Sequence, residues 1–60
     1  MYYTVTFKLT NRIIDSVSFV ERRFPQVLAG APMSKQMMME LVLAEYPDAN
    51  VSIDSIINSI

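Results

Sequence analysis

Sixty residues, 52% of them apolar and one of them glycine, make one ordered domain at most, and so short a chain buries only about 60% of the surface it exposes when unfolded. With no cysteine and no histidine, disulfides, thiolate metal sites and the usual near-neutral acid or base are excluded, leaving a full core or oligomerisation to supply stability. Five basic and six acidic side chains give a net charge of −1, which disfavours nucleic acid as a partner, because domains that bind it carry a far stronger basic footprint.

Residues Tyr2 to Thr10 alternate, with Tyr3, Val5, Phe7 and Leu9 on one face and Thr4, Thr6, Lys8 and Thr10 on the other. Period two with β-branched and aromatic residues predicts a half-buried strand. Thr10-Asn11-Arg12 reads as a turn, since asparagine tolerates left-handed backbone. Residues 13–24 fit two patterns. Ile13, Val17, Val20 and Phe24 recur at helical spacing, while Val17 and Phe19 oppose Ser16, Ser18 and Val20 at period two. Strand formers in Val-Ser-Phe-Val and the short turn before them favour a hairpin over a helix.

Phe24 to Ala29 either extends that strand past a kink at Pro25 or forms a separate edge segment, because proline cannot sit in a central strand. Gly30-Ala31-Pro32 is the clearest break, with Gly30 as a backbone hinge. Ser34 then caps a helix that Pro47 ends. Asp48-Ala49-Asn50 turns the chain, and Val51-Ser52-Ile53 restarts alternation. A strand to about Ile57, bulged near Ser55, is favoured there, although Ile53, Ile56, Ile57 and Ile60 also fit a helical turn. The expected fold class is α+β, a two-layer β-β-α-β domain spanning residues 1–60. Its three-stranded, mainly antiparallel sheet carries one helix packed on one face.

At about 100° per residue, Met38, Met39, Val42, Leu43 and Tyr46 fall in one arc of the helix, wide enough to cover the sheet. Met37, Leu41 and Ala44 fall in a second arc on nearly the opposite side, between Glu40 and Glu45. A helix packed on one sheet should be polar there. Flexible, polarisable methionine is common on surfaces that adapt to partners. The second arc is therefore a candidate protein-binding stripe, against the alternatives that the larger arc faces solvent in part, that Met37 and Leu41 form a core edge, or that a C-terminal segment folds over the second arc.

No catalytic, cofactor-binding or metal-binding residues are expected. The carboxylates Asp15, Glu21, Glu40, Glu45, Asp48 and Asp54 show no pairing that points to a pocket. The six serines have no histidine to activate them, and a single glycine cannot build a phosphate loop. Arg22 and Arg23, with Arg12 and Lys8, form the one basic grouping, which reads as a solvated strand edge or a second contact site. With Tyr2, Tyr3 and Phe19 nearby it could also stack single-stranded nucleic acid. Residues 1–30 carry +2 and residues 31–60 carry −3, a hint of self-complementary or partner-directed charge.

No run approaches the roughly 18 apolar residues of a membrane span, no secretory signal is apparent, and the absence of cysteine fits the cytoplasm. The β-β-α-β order at this length resembles many small proteins encoded by bacteriophages and other mobile elements, several of which inhibit a host enzyme by occupying a surface. That resemblance covers architecture and size alone. It implies a non-enzymatic protein-binding module, an inhibitor or modulator of a host protein. The alternatives are a self-associating protein such as a homodimer, and a nucleic-acid accessory protein.

Overall fold

The computed structural model describes residues 1–59. Strand β1 (Tyr2–Asn11) is central in an antiparallel sheet, with β2 (Val17–Pro25) on one side and β5 (Ala49–Ser59) on the other. Helix α1 (Lys35–Glu45) packs on one face of that sheet. A second, two-stranded sheet joins β3 (Val27–Leu28) to β4 (Ala31–Pro32) between β2 and the helix. The architecture is α+β, as the pattern predicts, with this small hairpin added.

The β1–β2 connection shows why residues 13–24 do not form a helix. Asn11 stays in the strand, and its Oδ1 accepts hydrogen bonds from the amides of Ile13 and Ile14 at 2.8 and 3.1 Å. Asp15 adopts the left-handed conformation (φ 54°) that aspartate tolerates, and the Asn11 amide closes the loop on the Ser16 carbonyl at 2.8 Å. The turn thus covers Arg12–Ser16, later than Thr10-Asn11-Arg12, and Ile13 and Ile14 stand exposed at its tip.

After Pro25 the chain leaves the sheet and doubles back at Ala29-Gly30. Both residues have positive φ, 52° and 81°, which is a type I′ turn. Gly30 is the second corner of this turn rather than a hinge, and Ala31-Pro32 lie in a strand rather than a break. Ser34 caps α1, its hydroxyl accepting from the Met37 amide at 3.1 Å. At the other end the Tyr46 amide donates to Val42 and Leu43, and Pro47 can donate nothing onward.

β5 begins at Ala49, inside the expected turn, and runs past Ile57 to Ser59. Its register against β1 jumps from Ser55 to Ile53 between Thr6 and Phe7, leaving Asp54 as the bulged residue. The bulge falls one residue before the expected Ser55. It also flips the alternation, so Ile53 and Ile56 both face the helix. Of the four residues in the alternative helical reading, Ile60 lies outside the described residues.

One core results. Val5, Phe7 and Leu9 of β1 meet Phe24, Met33, Met38, Val42 and Ala49. Phe7 and Phe24 pack edge to face, their centroids 6.0 Å apart. Side chains such as Phe7, Met38, Val5 and Val42, all fully buried, contribute about 1.5–3 kcal/mol each.

Candidate protein-binding surface

α1 buries Met38 and Val42, with Met39 and Tyr46 half-buried beside them. Leu43, from the arc assigned to the core, is instead 43% exposed. Its neighbours explain why. Glu45 Oε2 accepts a hydrogen bond from Arg22 Nη2 at 3.0 Å, and the Tyr46 hydroxyl lies 3.2 Å from the same nitrogen. With Met38 and Val42 buried, Glu45 and Tyr46 thus lie toward β2, and Leu43 lies on the opposite flank, above β5.

There it lines a groove of about 730 Å³ with Met39, Glu40, Arg12, Asn50 and Val51 among its walls. Arg12 closes the end of the groove by tying the β1–β2 loop to the end of the helix. Its guanidinium donates to the Pro47 carbonyl and its amide to the Asp48 carbonyl, the latter at 3.1 Å. A cation at this place also complements the partial negative charge of a helix C-terminus.

Met37 and Leu41 are 38% and 51% exposed, and Ala44 is exposed with them. The stripe is therefore on the outside of the helix. Leu41 precedes Glu45 by four residues, which places the two one above the other. Since Glu45 reaches Arg22, Leu41 belongs to the flank that faces β2, while Glu40 and Ala44 line the groove, so the stripe crosses the outer side of the helix from one flank to the other.

The paired arginines do not form one patch. Strand alternation sends Arg22 to the helix face, where it is half-buried, and Arg23 to the open face, where its guanidinium carbon sits 5.1 Å above the Tyr2 ring. Arg22 is not a free edge cation. Its hydrogen bond to Glu45, and then the Glu45 charge, raise its pKa above the ordinary arginine value.

The face of the sheet away from α1 is uncovered and carries threonines, with Phe19 and Ile57 exposed at 58% and 60%. Tyr2 lies on this face and Tyr3 on the other, as alternation predicts. Phe19 stands opposite Lys8, six residues along β1 from Tyr2, about 20 Å away at the usual strand rise. Glu21, opposite Thr6, interrupts the span. The aromatic and basic groups thus do not join into a stacking platform.

Among the described residues no polar or charged side chain is buried, and no three potential metal ligands come together. No helix among them is long and apolar enough to cross a membrane. No family model, no curated protein and no solved structure matches the chain.

Proposed function

We propose that this chain is a non-enzymatic protein-binding module, acting as an inhibitor or modulator, whose contact surface is the outer side of α1. The observation that carries the reading is the placement of Met37, Leu41 and Ala44, exposed on a helix whose core side Met38 and Val42 already fill. Spacings of four and three residues are those by which a helix anchors in an apolar groove of a partner. The partner this fits offers such a groove with basic groups at its rim, set to meet Glu40.

The test compares the immobilised chain with its Leu41→Asp variant in capture from host lysate, with circular dichroism as the control for fold. Proteins retained by the parent and lost with Leu41→Asp, at unchanged dichroism, support the reading. Equal retention by both chains removes the helix from the contact. A Leu41→Asp chain that unfolds assigns Leu41 to the core.

A further inference from the structure

The two edges of the main sheet differ. β5 is interrupted at Asp54, whereas β2 runs against β1 from Val17 to Pro25 without a shift in register. The Asn11 amide bonded to the Ser16 carbonyl sets the phase of the β1–β2 ladder. Bonded pairs alternate along an antiparallel ribbon, so Ser18, Val20, Arg22 and Phe24 turn their backbone groups toward β1. Val17, Phe19, Glu21 and Arg23 turn theirs outward, where the sheet has no further strand and where the Glu21 carbonyl alone accepts a side-chain hydrogen bond, from Arg22 Nη1 at 2.9 Å. An unpaired edge of this kind is a template for another chain.

Charges on a strand edge usually prevent such pairing. Here their order does the reverse. Glu21 and Arg23 stand two residues apart on the open face with opposite signs, and neither takes part in an ion pair among the described residues. In an antiparallel pair of identical strands, that arrangement complements itself.

We infer that β2 pairs antiparallel with β2 of a second copy, about a two-fold axis through Arg22. Glu21 then stands opposite Arg23 of the second copy, and Arg23 opposite its Glu21, each pair exchanging two backbone hydrogen bonds once Arg22 Nη1 gives up the Glu21 carbonyl. On the helix face Val20 meets Phe24, and at the margin Phe19 meets Pro25. The two Arg22 side chains approach at the axis, where each is already balanced by its own Glu45 at 3.0 Å.

Other registers lose this match. An axis through Glu21 sets Glu21 against Glu21, and an axis through Val20 leaves Arg23 opposite Val17. A slip of one residue sets open-face side chains against helix-face ones. The contact deepens the protein-binding reading by naming a partner, yet it uses the β2 edge rather than the outer side of α1, so either can fail alone.

Sedimentation equilibrium of the full chain, from low to high micromolar concentration, tests the pairing. The parent chain is expected to dimerise, with Glu21→Arg and Arg23→Glu each weakening association about tenfold or more, since each reversal creates two like-charge pairs. The double reversal restores association, and Leu41→Asp leaves it unchanged. Register is read separately by oxidative cross-linking. Arg22→Cys should cross-link across the axis, where a non-bonded pair holds its Cα atoms about 4.5 Å apart, within disulfide range, whereas Val20→Cys should not. A chain that stays monomeric, a double reversal as weak as the single ones, or equal cross-linking at both positions overturns the inference.

Discussion

Arg22 on β2 and Glu45 on α1 meet at 3.0 Å, the one ion pair among the described residues, and the same guanidinium lies 3.2 Å from the Tyr46 hydroxyl. The bridge accompanies the rotation that the buried Met38 and Val42 give the helix on the sheet. Both partners are open to water, so its thermodynamic weight is small and sensitive to salt. Glu45→Gln should lower the unfolding midpoint slightly at low ionic strength and hardly at all in high salt. The raised pKa of Arg22 means that its share is complete below the ordinary arginine range and lost only as pH rises through its folded value. Denaturant titrations from neutral to mildly alkaline pH should therefore show no change from this group.

The two sides of α1 should respond oppositely to truncation. Met38 is 2% exposed, and Met38→Ala should cost about 2–5 kcal/mol, a large part of the stability of so small a domain. Leu41→Ala should stay within about 0.5 kcal/mol. Thermal unfolding of the two variants checks which side is core.

Ser34→Ala removes the acceptor for the Met37 amide and should cost about 1 kcal/mol, read from the same melting curves. Helicity should be lost first from the turn that begins at Lys35.

Ala29 occupies a turn position at φ 52° that favours asparagine or glycine. Ala29→Asn should raise stability by about 0.5–1 kcal/mol by relieving left-handed strain. Gly30→Ala should do the opposite even though space around that position is open, because its φ of 81° disfavours any side chain. Differential scanning calorimetry distinguishes the two.

The strands, the cap and the end of the helix were legible because each rests on local chemistry. Alternation marks β1, a hydroxyl at Ser34 satisfies a free amide, and Pro47 stops the ladder. The β3–β4 hairpin was hidden because its turn carries alanine where the preferred residue would announce it. Ile13 fits only the helical spacing that the hairpin reading sets aside, and the side chain of Asn11 shows why: it captures the amides of Ile13 and Ile14 and holds them in a loop.

The candidate surface was legible in part. Helical spacing placed Met37, Leu41 and Ala44 outside, but it could not fix the helix rotation that exposes Leu43, because that depends on how Met38 and Val42 pack against distant residues of the core. The separation of Arg22 from Arg23 needed no structure. Alternation along a strand already sends neighbours to opposite faces.

The extra residue at Asp54 bears on how far assembly can go. When two copies join through β2, both outermost strands of the six-stranded sheet are β5, and each carries that interruption midway. A third chain approaching either side finds no continuous row of backbone partners. In the pairing inferred above, the bulge would thus favour a closed pair over the start of a fibre.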